Sequence, residues 1–291
     1  MLMKNKTKKF ELLPYILLVP SFLSMFMFGF YPFFKTIISS FSFTDTYGRW
    51  LKWAGTFFWE MTFEDGRIWH LIGTTLKFSI MNFAMTFLMG MILALLCVKK
   101  GRFSRFYQTI FALPLAIASA TASTMFGFIF EGEGGLLNTW LGTNIIWLKD
   151  PKISIWVVAF VTAWCHLGTD FILLLAGFRN VSQDVQEAAT VDGANRFVMA
   201  TKIMIPMASP QIFYVVFLNI ITAVKTFTQI RMLTYGGPGE ATRTLIYEIF
   251  DMGSEQGLYE YSCCISIVLF LVIFIATRIQ FFAEKKLVHY Q

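Results

Sequence analysis

Residues 187–210 read Glu-Ala-Ala-Thr-Val-Asp-Gly-Ala-Asn-Arg-Phe-Val-Met-Ala-Thr-Lys-Ile-Met-Ile-Pro-Met-Ala-Ser-Pro. A first helical piece is expected from about Gln183 to Val191, with Ser182 as its N-cap and Asp184 in the first turn, where the helix dipole favours an acid. Gly193 falls where the helix must stop and the chain turn back, a position that wants positive φ. Asn195 can cap a second piece running through Phe197, Ala200, Thr201 and Met204 until Pro206 interrupts it. The stretch is too polar to span a bilayer, yet it lies between two apolar runs that can. A small, rigid, partly apolar helix–turn–helix in such a place is a docking piece.

The rest of the chain is membrane material. It is 56% hydrophobic and 14% charged, with a mean hydropathy of +0.60, outside the range of a soluble domain. Crossing about 30 Å of hydrocarbon takes roughly 20 helical residues. Spans of that order are predicted near 12–34, 78–98, 106–130, 153–178, 210–230 and 261–282, giving an all-α protein with six transmembrane helices in one domain, 1–291. Asp170, Lys225 and Arg278 are the charges inside them. Cys97, Cys165, Cys263 and Cys264 all fall within spans, so neither a disulfide framework nor a metal site is expected. His70, His166 and His289 are scattered. The dipeptide Gly-Lys is absent, and with it any P-loop. The chain is expected to bind no cofactor and to be no enzyme.

Basic residues set the orientation. One side holds Lys4, Lys6, Lys8, Lys9, Lys99, Lys100, Arg102, Arg105, Arg179, Arg196, Lys202, Arg278, Lys285 and Lys286. The other holds Arg49, Lys52, Arg67, Lys149, Lys152 and Arg243, with most of the acids. Both termini and the 179–209 loop are therefore expected to be cytoplasmic. Trp50, Trp53, Trp59, Trp69, Trp140, Trp147 and Trp156 fall in the outer loops or at the outer edge, where amphipathic rings prefer to sit. This distribution accounts for the net charge of +6 without nucleic acid. The N-terminal apolar run is too long for a signal-peptide core and reads as a retained first helix.

The spacing Glu187-Ala188-Ala189, three residues, Gly193, nine residues, Ile203, one residue, Ile205-Pro206 resembles the EAA loop of ATP-binding-cassette importer permeases, with Ile205 where that family usually has Leu. Further matches lie at Leu13-Pro14-Tyr15, Thr74 to Phe78, Ser104 to Thr109, Leu113-Pro114, Gly134 to Asn138, Leu233 to Pro238 and Thr242 to Tyr247. Together they resemble the sugar and glycerol-phosphate branch of that family. The resemblance implies a type I importer permease fold and a cell-membrane subunit for carbohydrate import. Its partners would be a second, homologous permease, two ATP-binding subunits carrying ATP and magnesium, and an extracytoplasmic binding protein. The coupling residues carried over are Glu187, Ala188, Ala189, Asp192, Gly193, Ile203 and Pro206, within a loop spanning 182–206.

Polar residues inside spans are costly and face cavities or partners. Asn219, Thr222, Thr226 and Gln229 recur at spacings of three, four and three, which places them on one face of a continuous fifth helix. Thr162, His166, Thr169 and Asp170 do the same on the fourth. A substrate path through Asn219, Thr222, Thr226, Gln229, His166, Thr169 and Asp170 suits a polyol, while hydrogen bonding between helices explains the same stripe equally well. For Asp170 the open alternatives are pairing with Lys225, pairing with the second permease and contact with substrate. Glycerol 3-phosphate or an acidic sugar is the alternative cargo. A proton-coupled secondary transporter, relaying through Asp170, His166 and Lys225, is the alternative from another class.

Overall fold

The computed structural model describes residues 13–45, 48–64, 66–99, 101 and 104–287. Leu12, Lys4, Lys6, Lys8, Lys9, Lys100, Arg102 and His289 lie outside the described residues. Helix α1 (Leu13–Met25) passes through a wider turn at Phe26–Phe30 into α2 (Tyr31–Ser39). An antiparallel hairpin of β1 (Ser42–Thr44) and β2 (Trp50–Trp53) leads to α3 (Phe57–Glu64) and then to α4 (Arg67–Cys97). Next come α5 (Ser104–Ala112), α6 (Ser119–Ile129), α7 (Leu136–Leu141) and α8 (Ser154–Arg179). The polar loop holds α9 (Gln183–Val191), α10 (Arg196–Val198) and α11 (Ile205–Met207). The chain ends with α12 (Ser209–Val224), α13 (Thr228–Leu233), α14 (Leu245–Phe250) and α15 (Tyr259–Leu287).

Among the described residues, four helices are long and apolar enough to cross a membrane: Ile16–Ser39, Arg67–Cys97, Ser154–Arg179 and Tyr259–Lys285. Two bent pairs raise that to six, Arg105–Ala116 with Ser119–Ile129 at 100° and Arg196–Met207 with Ser209–Val224 at 75°. Several outlines differ from the sequence expectation. The second span begins at Arg67, just after Gly66 at φ +65°, because Thr74, Thr75 and Ser79 are buried against other helices rather than marking a boundary. The third is not one helix. A tight turn at Leu113–Ala116 carries Pro114, and Ile117 and Ala118 are extended. The fifth stops at Val224, and α13 restarts after Phe227. Pro206 does not end the second loop piece, because a widened turn at Met199–Met204 accommodates its ring and the bend falls at Ala208.

Helix α8 is the centre of the bundle, packed along α4 and against α12 and the broken third span. Glycines make these approaches possible. A Cβ on Gly90 would lie 3.0 Å from that of Asp170. One on Gly168 would lie 3.1 Å from Ala112 O and Leu115 N, so the α5–α6 break is moulded onto α8. Side chains such as Leu96, Ile80, Ile279 and Phe282 remain exposed on the chain's outside, as a hydrocarbon solvent requires.

The two ends of the bundle follow from cross-helix bonds. Arg179 at the end of α8 donates to Cys97 O at the end of α4, and Gln280 on α15 donates to Phe213 O on α12. These contacts gather the polar loop, the ends of α4 and α15 and the starts of α5 and α12 at one end. At the other end Glu260, at the start of α15, accepts from Thr44 N and Oγ1 at 2.6 and 2.8 Å.

Candidate functional site

The polar loop is a built unit. Ser182 Oγ accepts from Val185 N at 3.4 Å and Asn195 Oδ1 from Val198 N at 2.9 Å, so both helical pieces carry side-chain caps. Gly193 stands at φ +83°, with Gly193 N on Thr190 O and Ala194 N on Ala189 O, the bonds that close a helix and reverse the chain. Gln183 Nε2 holds Glu187 Oε1 at 2.7 Å. Glu187, Ala188, Asp192 and Gly193 are exposed, while Ala189, Ile203 and Pro206 are half-buried.

Both ends of this unit are rooted. Val181 is buried at its start, and Met204 and Ala208 enter the core formed by Ala94, Phe171, Leu174, Phe178 and Val215. A rigid piece anchored at both ends moves with the helices behind it. Its tip presents two large apolar side chains, Val191 at 87% and Phe197 at 75% exposure. Neither is among the contact residues expected from the sequence. Their signal is an apolar residue on each side of the glycine turn.

The polar residues of the spans do not share one fate. Asn219 Nδ2 donates to Asp170 Oδ2 and, at 3.1 Å, to Val215 O. Asp170 therefore pairs with Asn219, across α8 and α12 and beside Gly90 of α4, and not with Lys225. Asn219 and Thr222 lie on α12, Thr226 in the break and Gln229 on α13, so the four do not form one face of a single helix. Gln229 is buried and hydrogen-bonds Cys165 of α8. Thr226 Oγ1 returns to Thr222 O at 3.1 Å. His166 and Thr169, like Thr222, are only half-buried and remain reachable from outside the chain. No group of three or more metal-ligating side chains occurs among the described residues.

The opposite end carries an ionic cluster. Glu248, with a fully buried side chain, is held by Arg67 at 3.1 Å and by Arg243, which also binds Asp251. Glu240 accepts from Arg67 at 2.7 Å, tying the 235–244 loop to α4. Burial pushes the Asp251 carboxyl up, but the hydrogen bond and charge of Arg243 outweigh it and hold the group below its ordinary value. Tyr235 (φ +54°) and Gly236 (φ +80°) turn the chain there, and Thr242 fastens the loop to Thr234 and Gly237 O.

A bundle with two sharply broken spans and a capped, rooted helix–turn–helix at one end defines a membrane permease. Residues 86–289 match the family described as binding-protein-dependent transport system inner membrane component, and the chain belongs to that family. It is a multi-pass inner-membrane protein. Among curated relatives, it is 29% identical over 283 residues to the sn-glycerol-3-phosphate transport system permease protein UgpA of Salmonella typhimurium, covering 96% of each chain. It is 28% identical over 284 residues to the protein of the same name from Agrobacterium fabrum, covering 96% of this chain and 97% of that one. Among solved structures, it superposes with a TM-score of 0.84 on a chain of a bacterial ABC transporter that imports the acidic polysaccharide alginate, at 21% identity over 95% of this chain and 96% of the other. A second structure of an alginate transporter, in complex with its pentasaccharide-bound periplasmic protein, gives 0.83 at 20% identity over 94% of each chain. The fold is that of the importer permeases.

Proposed function

We propose that the chain is the permease subunit of an ATP-driven importer of carbohydrates or related polyols. A second, homologous permease completes the pore, two ATP-binding subunits supply ATP and magnesium, and an extracytoplasmic binding protein delivers cargo. In this arrangement the polar loop and both termini face the cytoplasm. The observation that carries the proposal is the loop itself: caps at Ser182 and Asn195, the Gly193 turn, roots at Met204 and Ala208, and an exposed apolar tip. Glu187, Ala188, Ala189, Asp192 and Gly193 would form the seat on the ATP-binding subunit. Ile203 and Pro206 would join that seat to α12.

The mechanism follows from rigidity. Closure of the ATP-binding subunits draws the two permease loops together. Because the loop is continuous with α8 and α12, its motion tilts those helices as a body and turns the cavity from one face of the membrane to the other. Along the path, half-buried Thr222, His166 and Thr169 would meet cargo, backed by Thr226 and Gln229. Asp170 and Asn219 would hold α8 and α12 in register. The glycerol-phosphate relatives favour a small anionic polyol as the second reading of the cargo. Sugar uptake into cells separates this class from a proton-coupled carrier. Uptake should stop on ATP depletion and survive a protonophore when ATP is maintained, and the reverse pattern would refute the proposal.

A further inference from the structure

Helix α5 and the last turns of α8 enclose an open groove of about 810 Å3. Its place in the bilayer follows from its walls. Arg105–Ala116 is the first half of a bent span, and Ser154–Arg179 is a whole one. The two run antiparallel, since Gly168 faces Ala112 and Leu115 while Phe171 meets Phe111 at 5.7 Å between ring centroids. The first residue of one span stretch, Arg105, therefore comes to the same end of the bundle as the last residue of the other, Arg179. Both arginines line the groove, and its wall on α8 reaches inward to Ile172. Seven residues of helix rise about 10 Å, which stays within one half of the roughly 30 Å hydrocarbon layer.

The groove is cationic at its rim and apolar below. Among the described residues, neither arginine has a carboxylate within ion-pair distance, and no acid lines the groove. Arg179 commits one nitrogen to Cys97 O at 3.5 Å and keeps its other donors. Two exposed guanidinium groups facing one space match the oxygens of a phosphate. Thr109 Oγ1 donates to Arg105 O at 2.9 Å, so its remaining lone pairs accept and suit a hydroxyl donor beside that phosphate. Below the rim stand Leu113, Ile172 and Leu175, with only the methyl of Ala176 between the last two and Arg179. A soluble subunit resting on the polar loop could reach the arginines but not this floor, which lies inside the spans. An anionic amphiphile meets both, and basic pockets between helices at a membrane surface are places for such headgroups.

We propose that this groove binds one anionic phospholipid, its phosphate between Arg105 and Arg179 and an acyl chain along Leu113, Ile172 and Leu175. The site needs only the membrane placement of the chain, and it is separate from cargo and from the seat on the ATP-binding subunit. Arg179 stands three residues before the Ser182 cap, so an occupied groove lies against the root of the polar loop.

The test uses the whole importer complex in nanodiscs of phosphatidylethanolamine. These carry phosphatidylglycerol with a photoreactive acyl chain or, in parallel, phosphatidylcholine with the same chains. Phosphatidylglycerol should label the 105–116 and 171–179 segments, and phosphatidylcholine should label them several-fold less at equal loading. Arg105→Gln with Arg179→Gln should cut phosphatidylglycerol labelling by about tenfold or more, the scale of a lost charge-assisted contact. Arg105→Gln alone leaves the bond to Cys97 O in place and should still lower labelling several-fold, which keeps the test valid if the double variant does not assemble. Ala176→Trp fills the groove from an exposed position and should block labelling by either lipid with both arginines intact. The proposal is overturned if the two lipids label equally, or if Arg105→Gln or Ala176→Trp labels like wild type. Displacement of the lipid by excess inorganic phosphate would overturn it too, making the arginines a site for a free anion. So would an unlabelled groove that crosslinks instead to the second permease, which would name that subunit as the occupant. None of these readings involves ATP or cargo, so the importer reading stands or falls separately.

Discussion

Replacing Asn219 by Leu removes the donor that Asp170 faces across α8 and α12. Asp170 is buried, and its Cβ packs so closely on Gly90 that a Cβ there would come within 3.0 Å of it. A buried acceptor deprived of its partner costs about 1–3 kcal/mol in soluble proteins, and single interhelical bonds in membranes fall near the low end. Asn219→Leu should therefore destabilise the complex by about 1–2 kcal/mol. Asp170→Leu should cost less, because Asn219 keeps its 3.1 Å bond to Val215 O. The double variant should be less destabilised than the two singles added, with a coupling of about 0.5 kcal/mol or more. Denaturant titration of the purified complex, followed by labelling of the buried thiol of Cys97, reads all four corners of the cycle. Additive effects would refute the lock between α8 and α12. Full stability with lost uptake in Asn219→Leu would assign the pair to cargo instead.

Gly168→Val should destabilise the bundle by about 1–3 kcal/mol, because its Cβ would meet backbone atoms of Ala112 and Leu115 at 3.1 Å; unchanged unfolding would show that the α5–α6 break is not packed on α8. Val191→Asp with Phe197→Asp should leave the permease folded, since both side chains are exposed, yet release the ATP-binding subunits on gel filtration; retention of those subunits would move the seat elsewhere. The Asp251 carboxyl is held low by Arg243, so its contribution is complete above its unfolded value of about 3.9 and fades as pH falls through the lower folded value. In Arg243→Gln the strongest lowering partner is gone and the weaker hydrogen bonds, including Gln256 Nε2 on Oδ2 at 3.0 Å, are left to oppose burial, so acid-induced opening of the 235–255 segment, read by hydrogen exchange, should begin at higher pH; an unshifted onset would contradict the ion pair's role.

Local chemistry was legible where it is written in neighbouring residues. Ser182, Gly193 and Asn195 foretold two caps and a turn, because a cap is decided within four residues of its own position. The apolar runs foretold the spans, because length and charge are properties of a segment. Long-range contacts decided the rest. The third span breaks after Pro114, where Gly168, more than fifty residues on, admits the displaced backbone. Asn219 and Asp170 could each be placed on a helical face by spacing, but spacing does not say which faces meet. Spacing also counted Thr226 and Gln229 as continuing α12, although the chain leaves the helix at Lys225. The exposed tip, Val191 and Phe197, became visible only once no other part of the chain covered it.

In the proposed function the 183–207 unit couples this permease to ATP hydrolysis. Two variants reach it by different physics. Gly193→Val puts a β-branched residue at φ +83°, straining the turn that keeps the two helical pieces in register. Glu187→Lys leaves the turn intact and reverses an exposed charge at the seat. The decisive measurement is ATP hydrolysis by the reconstituted complex with cargo-loaded binding protein, made for wild type and both variants. Loaded binding protein should stimulate hydrolysis in wild type, and that stimulation should be lost in both variants while the binding protein still holds its cargo. Wild-type stimulation in both variants would contradict this coupling.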